Sequence, residues 1–289
     1  MDKPELYSRC AAPTFAAVNI RQLEELWPTL TWPDQPLPVL EVGCGPGDIT
    51  AKFLAPRLPG GTKIVSCDIS PEMLRYAEEH NGRPGVISYE SFDAAEKDLE
   101  GTAVWKHGPY SKAFALLLLH WVPDNRCAIQ NIYRLLAEGG EAVFTVVPYV
   151  SVFAAYEEMA EEPRWKIYME DVRKFVSPYQ HSPDPAAELR QLLEAAGFQV
   201  LHCWAGEVEV VFRSEQELKV SSFLFVAEFL VSVNPFLNRL PLGERDDFID
   251  DILQRMYKLN GIIKEVDSSS GESKIIYFYT SMKALAKKL

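Results

Sequence analysis

The chain has 289 residues, 47% of them hydrophobic, and a formal net charge of −12. This length and apolar content suffice for one large domain, or two small ones, with a buried core. The acidic balance and the lack of a dense Lys or Arg stripe argue against a nucleic-acid partner, because phosphate neutralisation needs clustered positive charge.

The cysteines and the apolar stretches indicate the compartment. The five cysteines are scattered and form no Cys-x-x-Cys pair, so we expect a cytoplasmic protein with reduced thiols, no disulfide framework and no metal site. Residues 1–5 lack an apolar run, so we expect no signal peptide. The most apolar stretch, 220–237, is interrupted by Glu228 and closed by Asn234-Pro235, which favours a buried helix over membrane insertion.

The N-terminal segment predicts a helix followed by a strand. Residues 1–30 carry a broad apolar stripe at helical spacing. A Pro-rich connector over 28–38 then leads to a short apolar run at 39–42, which is typical of a buried strand.

Three glycines follow that strand, and helical spacing resumes after them. They are Gly43, Gly45 and Gly47, with Glu41 two residues before the first. Glycine lets the backbone approach a ligand closely, so a strand, this loop and a helix N-terminus suit a nucleotide-like ligand. The spacing E-x-G-x-G-x-G differs from the G-x-G-x-x-G fingerprint of NAD-binding proteins. It resembles the first motif of class I S-adenosylmethionine (SAM) methyltransferases.

A second strand is predicted over 63–69, with Asp68 near its C-terminal end. In a doubly wound sheet Asp68 lies beside the glycine loop, where a carboxylate accepts both ribose hydroxyls. Ser70-Pro71-Glu72 predicts a helix start, with an N-cap hydroxyl and Pro at the first position. A third strand over 86–92 precedes Asp93, which in the methyltransferase pattern faces the adenine amino group; a solvated loop carboxylate is the alternative.

The fourth strand leads to a second candidate site. Residues 110–119 are almost wholly apolar, as a central parallel strand requires, and end in His120-Trp121. A helix over 124–136 and a strand over 141–147 complete five strand–helix units, so we expect a parallel sheet with right-handed crossovers. His120-Trp121 is the dense functional group beside the glycine loop, and core packing is the alternative for it.

After residue 148 the regular alternation of strands and helices ends. Helices are predicted over 150–174, 186–196, 215–237 and 245–260, a sixth strand over 198–211, a polar turn over 267–272, and a last, antiparallel strand over 274–280. We therefore predict a single α/β domain over 1–289 with a Rossmann-like class I methyltransferase fold. Its mostly parallel seven-stranded sheet carries a helical cap, formed by 148–190 and 215–262, that builds the substrate pocket.

The chemistry of methyl transfer gives His120 and Trp121 a role. Because the electrophile arrives activated, the protein mainly positions and desolvates the acceptor. A carboxylate acceptor is ionised at pH 7 and needs hydrogen-bond donors, which the two ring N–H groups supply. A phenol or amine acceptor would instead use His120 as a general base. The apolar cap favours a hydrophobic substrate.

The chain resembles the juvenile hormone acid O-methyltransferases, an arthropod branch of the class I SAM methyltransferases. The segments that carry the resemblance are Glu5-Leu6-Tyr7, 41–47, Cys67-Asp68-Ile69-Ser70, Glu72-Met73, Leu119-His120-Trp121, 175–179 and Val233-Asn234-Pro235-Phe236. The resemblance implies SAM as cofactor and a role in juvenile hormone biosynthesis. The implied reaction esterifies a sesquiterpenoid acid, farnesoic acid or juvenile hormone acid, to its methyl ester.

The resemblance also implies which residues touch the ligands. The residues implied to bind SAM are Glu41, Gly43, Cys44, Gly45, Gly47, Asp68, Ile69, Met73, Asp93, Ala94 and Leu116. His120 and Trp121 are implied to act as catalytic residues facing the carboxylate. The residues implied to face the substrate are Tyr7, Thr14, Tyr149, Phe153, Phe175 and Tyr179, and family members often carry a glutamine where Thr14 stands.

Two alternatives to this function stay open. One is a methyltransferase for another lipophilic acid or phenol, or for a small carboxylate of the trans-aconitate type. The other is a catalytically silent protein of the same fold that carries a hydrophobic ligand. The sequence indicates no oligomeric state.

Overall fold

The computed structural model of the chain describes residues 3–10, 12–213, 222–266 and 273–289. In these residues eight strands form one sheet: β1 Val39–Val42, β2 Ile64–Asp68, β3 Ile87–Ser91, β4 Tyr110–Leu116, β5 Leu136–Val150, β6 Phe198–Arg213, β7 Ile262–Val266 and β8 Ser273–Lys288. The strand order is β3-β2-β1-β4-β5-β8-β6, and β7 pairs with β8. Strands β1 to β5 are parallel, whereas β8 runs antiparallel to β5, β6 and β7.

The helices of the described residues are α1 Pro4–Cys10, α2 Ala12–Leu26, α3 Ala55–Arg57, α4 Pro71–Asn81, α5 Ala103–His107, α6 Asn125–Leu135, α7 Ser151–Ala160, α8 Pro185–Ala196, α9 Ser222–Val233 and α10 Arg245–Lys258. A π-helical segment, Thr50–Leu54, leads directly into α3. Within the described ranges, no helix is long and apolar enough to span a membrane.

Local sequence signals set the element boundaries as expected. The hydroxyl of Ser70 caps α4 by accepting from the Met73 N–H at 3.3 Å, and Asp124 caps α6 in the same way. Every residue of β4 is buried, as predicted for the central parallel strand. The sheet with helices on both sides and an antiparallel last strand confirms the predicted Rossmann-like class I methyltransferase fold.

The helix after residue 150 and the last strand differ from their predicted extents, and one strand was not predicted. The helix expected over 150–174 ends with α7 at Ala160, ahead of Pro163, whose ring and missing N–H disfavour a continuing helix. The last strand, expected over 274–280, extends to Lys288, and β7 pairs with it as an eighth strand that the sequence did not indicate. Residues 281–288 are rich in good helix formers, so pairing with β5 and β6 overrides their propensity.

Two predicted segments lie partly or wholly beyond the structural description. The helix expected over 215–237 is described from Ser222 onward, as α9. The polar turn expected over 267–272 lies outside the described residues.

Helices α7, α9 and α10, which lie in the segments predicted to form the cap, pack on the part of the sheet that β5, β7 and β8 form. Helices α7, α9 and α10 share one apolar cluster with β8, to which Phe153, Phe248 and Tyr277 contribute. Arg255 joins α10 to α7, because its guanidinium contacts Glu158 of α7 at 2.9 Å as well as Asp251 of its own helix at 3.2 Å.

A buried ion pair lies near the start of β4, at the end of the sheet opposite to the carboxyl ends of the parallel strands. Lys112 Nζ is 3.2 Å from Glu141 Oε2, and both side chains are almost fully buried. Glu141 also accepts hydrogen bonds from the backbone N–H and the hydroxyl of Thr31, at 2.9 and 3.0 Å. This pair joins the connector before β1 to the centre of the sheet.

Candidate active site

The glycine loop turns tightly at the carboxyl end of β1. Gly43 has a φ of +77°, and a Cβ there would lie 2.7 Å from Leu118 Cδ1. The Gly43 and Cys44 N–H groups both donate to the Cys67 carbonyl of β2, at 2.7 and 3.0 Å. Only glycine fits this close approach without strain, so the loop holds its backbone against β2 and beside Leu118.

Asp68 fixes the loop from the neighbouring strand. Its Oδ2 accepts from the Gly45 N–H at 2.8 Å, and its Oδ1 accepts from the Ser70 N–H at 2.9 Å. Burial raises the pKa of Asp68 above its ordinary value, and these two backbone donors act in the opposite direction. Each carboxylate oxygen keeps a further lone pair for a ligand hydroxyl.

Glu41 is a buried acid at the bottom of the same site. Its Oε2 accepts from the hydroxyls of Thr50 and Ser66, the latter at 2.8 Å. Burial raises the pKa of Glu41 to about 7. A cationic group of a ligand beside it would favour the ionised form.

A cavity of about 150 Å³ opens above these residues at the carboxyl ends of β1, β2 and β4. Eight of the predicted cofactor residues line it: Glu41, Gly43, Cys44, Gly45, Asp68, Ile69, Met73 and Leu116. Among the described residues its lining also includes Asp48 but neither Lys nor Arg. Three carboxylates around a glycine loop suit the ammonium, sulfonium and ribose of SAM, and they do not suit the pyrophosphate of a dinucleotide.

Three predicted cofactor residues lie outside this lining. Gly47 is required by the turn, because its φ is +79° and a Cβ there would lie 2.7 Å from the Tyr89 hydroxyl. Asp93 is exposed and accepts from the Ala95 N–H at 2.9 Å in a local turn, and Ala94 is buried in an apolar cluster.

A second, smaller cavity adjoins the first. It measures about 70 Å³ and shares Tyr7, Leu117 and Trp121 with the cofactor cavity. Its other lining residues are His120, Val147, Val150, Val152, Phe153, Tyr156, Phe229, Val233, Tyr277 and Tyr279. The second cavity therefore has aliphatic and aromatic walls with a few polar tips, and none of its described lining residues is a Lys or Arg.

His120 lines the second cavity, and its surroundings determine its protonation state. It is 5% exposed, and its Nδ1 lies 3.3 Å from the Val147 N–H, which can only donate. Burial lowers the pKa of His120 to about 3, so the ring is neutral at pH 7. Since Nδ1 accepts, the ring hydrogen is on Nε2, and His120 is a hydrogen-bond donor rather than a base.

Trp121 stands between the two cavities. Its ring centroid is 5.1 Å from that of His120 and 5.7 Å from that of Phe153, to which it is perpendicular. Leu117, the residue that introduces this turn, has a φ of +52° and donates its N–H to the backbone and hydroxyl oxygens of Thr145. A non-glycine residue in this conformation is strained, and such strain is typical of functional sites.

Helix α1 covers the junction of the cavities and carries Tyr7 into both. Burial, with Asp68 and Asp48 nearby, raises the pKa of Tyr7 to about 12. Ser8 donates to Asp48 Oδ2 at 2.7 Å, and Arg9 pairs with Glu228 of α9 at 3.1 Å. These contacts fasten α1 to the glycine loop on one side and to the cap on the other.

Five of the six predicted substrate residues have described side chains, and these five divide into two groups. Tyr7 and Phe153 line the second cavity. Tyr149 is 40% exposed, Phe175 packs on Phe236, and Tyr179 donates to Asn125 at 2.9 Å, so these three lie outside it. Thr14 lies in α2, and its side chain is outside the structural description.

Sequence analysis missed most of the second cavity. Tyr156, Tyr277 and Tyr279 reach it from α7 and β8, which are more than a hundred residues apart in the chain. The one local signal was the i, i+4 spacing of Val152 and Tyr156 on α7, which places both on one helix face.

The fold and the cofactor cavity define a class I SAM-dependent methyltransferase. Residues 14–203 match the family described as "Methyltransferase domain", and the chain belongs to that family. SAM is its cofactor.

The chain is also similar to individual proteins. It is 29% identical to the juvenile hormone acid O-methyltransferase of Bombyx mori, over 93% of this chain and 92% of that protein, which confirms the resemblance found in the sequence motifs. It is 28% identical to the trans-aconitate 2-methyltransferase of Rhodopseudomonas palustris, over 75% of this chain and 77% of that protein. The crystal structure of a SAM-dependent methyltransferase from Anabaena variabilis matches with a TM-score of 0.52 and 16% identity, over 93% of this chain and 83% of that chain, and supports the fold.

Proposed function

We propose that this protein transfers the methyl group of SAM to the carboxylate of a lipophilic monocarboxylic acid. The acid is of the sesquiterpenoid type, farnesoic acid or juvenile hormone acid. The observation that carries the proposal is the apolar second cavity, joined to the cofactor cavity through Trp121 and entered by a neutral His120.

The residues at the junction suit an acceptor that is already ionised. Bound SAM supplies an activated methyl group. His120, as an Nε2–H donor, and the indole N–H of Trp121 hold one carboxylate oxygen in line, and no proton has to be removed. A phenol would need a base, and a histidine with a pKa of about 3 is a poor one.

The walls of the second cavity favour a hydrocarbon tail over further carboxylates. A tricarboxylate such as trans-aconitate needs cationic partners for the two groups that are not methylated, because a buried unpaired charge is strongly unfavourable. The described lining contains no Lys or Arg. An apolar tail gains on the order of 0.8 kcal/mol per buried CH₂ before the costs of binding.

The size of the second cavity implies movement on binding. Cavities for drug-sized ligands span roughly 300–1,000 Å³. The second cavity has about 70 Å³, so a fifteen-carbon tail requires it to widen. Helices α1 and α9 flank it and are joined by the Arg9–Glu228 pair, so we propose that they move together.

The test is methyl transfer from labelled SAM to a panel of acids. The panel contains farnesoic acid, juvenile hormone acid, short fatty acids and trans-aconitate. We expect methyl esters of the two sesquiterpenoid acids and none of trans-aconitate. Product on trans-aconitate alone would contradict the substrate class. No product on any acid, with SAM bound, would identify a silent ligand carrier.

A further inference from the structure

The amide of Asn234 is held in one orientation after α9. Its Oδ1 accepts from the N–H groups of Phe236 and Leu237, at 2.8 and 3.0 Å. A flipped amide would turn an NH₂ group towards these two donors, so the observed orientation is the only one with satisfied partners. The Asn234 Nδ2 group therefore faces Tyr156 and donates to its hydroxyl oxygen at 3.1 Å.

This bond determines what the Tyr156 hydroxyl can do. Because the oxygen accepts from Asn234, the phenolic hydrogen must be directed elsewhere. Among the described residues no acceptor contacts it, although Tyr156 is only 1% exposed. Burial raises the pKa of Tyr156, so the hydroxyl keeps its hydrogen at neutral pH. The side chain lines the second cavity, and the O–H is a donor available to a ligand there.

Tyr156 lies on the wall of the second cavity that α7 forms and does not line the cofactor cavity. The His120 and Phe153 rings are 6.4 Å apart, and Tyr156 follows Phe153 by almost one helical turn, or about 4.5 Å along the helix axis. The Tyr156 ring packs edge-on against Phe236, with centroids 5.2 Å apart. The second cavity therefore has donors at His120 and Trp121, the latter shared with the cofactor cavity, and a further O–H at Tyr156, which belongs to the second cavity alone.

We propose that Tyr156, positioned by Asn234, selects acids whose tail carries a hydrogen-bond acceptor oxygen, such as an epoxide, ether or ketone, over the all-hydrocarbon acid. This inference rests on the proposed function and specifies its substrate further. A hydrocarbon tail would leave the buried O–H without a partner, whereas an oxygenated tail of the same length satisfies it. Sites with buried polar groups discriminate strongly against ligands that leave those groups unpaired.

The test compares two acids of one carbon skeleton, farnesoic acid and its terminal epoxide. Their Kd values are measured by titration calorimetry in the presence of S-adenosylhomocysteine, so that binding is read without turnover. We expect the wild type to bind the epoxide about five- to tenfold more tightly, as one net hydrogen bond implies. Tyr156→Phe should bind the two acids equally.

A second variant separates orientation from packing. Asn234→Asp keeps an oxygen for the Phe236 and Leu237 N–H groups but places an acceptor, instead of a donor, beside Tyr156. The Tyr156 hydroxyl should then turn its hydrogen towards residue 234 and away from the cavity. We expect the preference for the epoxide to disappear although the phenol is still present. Tyr110→Phe is the control, because it loses a buried hydrogen bond, to the Val104 carbonyl at 2.6 Å, outside both cavities.

The outcomes separate this inference from the proposed function. An unchanged Kd ratio in Tyr156→Phe, or equal binding by the wild type, overturns the role of Tyr156, and methyl transfer to either acid would still support the proposed function. The expected Kd ratios without any methyl ester would support the role of Tyr156 and contradict methylation. Binding of neither acid overturns the role of Tyr156.

Discussion

Replacing His120 by Gln should change the pH dependence of stability by a calculable amount. Glutamine was chosen because its amide oxygen can still accept the Val147 N–H. The folded-state pKa of His120 is about 3, whereas histidine in an unfolded chain titrates near 6.5. Between these values only the unfolded state binds the proton, so the stability that His120 contributes falls as the pH drops below 6.5. By this linkage the loss is about 2 kcal/mol at pH 5, compared with about 0.2 kcal/mol at pH 7.

The assay is urea unfolding of the wild type and the variant at pH 7 and pH 5. The free energy of unfolding of the wild type should fall relative to that of His120→Gln by about 2 kcal/mol between the two pH values. Glu41, with a pKa of about 7, titrates in both proteins and cancels in the difference. His181→Gln is the control, because His181 is exposed and pairs with Glu157. A wild-type-to-variant difference that is equal at pH 7 and pH 5 would refute the neutral, buried imidazole.

Two further predictions concern the cofactor cavity and the far end of the sheet. Asp68→Ala should weaken SAM binding by about 10- to 100-fold, because a charge-assisted hydrogen bond is lost, and the circular dichroism spectrum should stay unchanged. If calorimetry shows SAM binding to the variant with wild-type affinity, Asp68 does not bind the ribose. Lys112→Met should lower the free energy of unfolding by about 3–5 kcal/mol, because Glu141 is left charged and buried, and adding Glu141→Gln should recover most of the loss. Urea unfolding of both variants decides this, and a double variant no more stable than Lys112→Met would show that the buried charge is not the cause.

The cofactor half of the site was predictable because its signals are local. The glycine spacing, the acid before it and Asp68 at the end of β2 are each set by a few consecutive residues, and a parallel sheet brings strand ends together at one edge. Eight of the eleven predicted cofactor residues line the cavity that results. Asp93 lies outside that lining and accepts the Ala95 N–H in a local turn, so its contact with SAM stays a prediction.

The acid half of the site could not be predicted from such signals. Tyr277 and Tyr279 reach the second cavity because β8 pairs with β6 along nearly its whole length and with β5 from Tyr279 onward. This pairing opposes the local propensity of residues 281–288. The strained backbone of Leu117 also carries no sequence signature, since leucine rarely adopts a positive φ. Long-range pairing and strain therefore determine the pocket more than composition does.

The lining of the second cavity extends beyond the family match on both sides. The family match covers residues 14–203, which hold every residue predicted to bind SAM. Tyr7, Phe229, Val233, Tyr277 and Tyr279 line the second cavity from outside that range. Substitutions at Phe229, Val233, Tyr277 or Tyr279 would therefore reshape the acid cavity without replacing a residue that lines the cofactor cavity, so acceptor choice and methyl donation are separately adjustable.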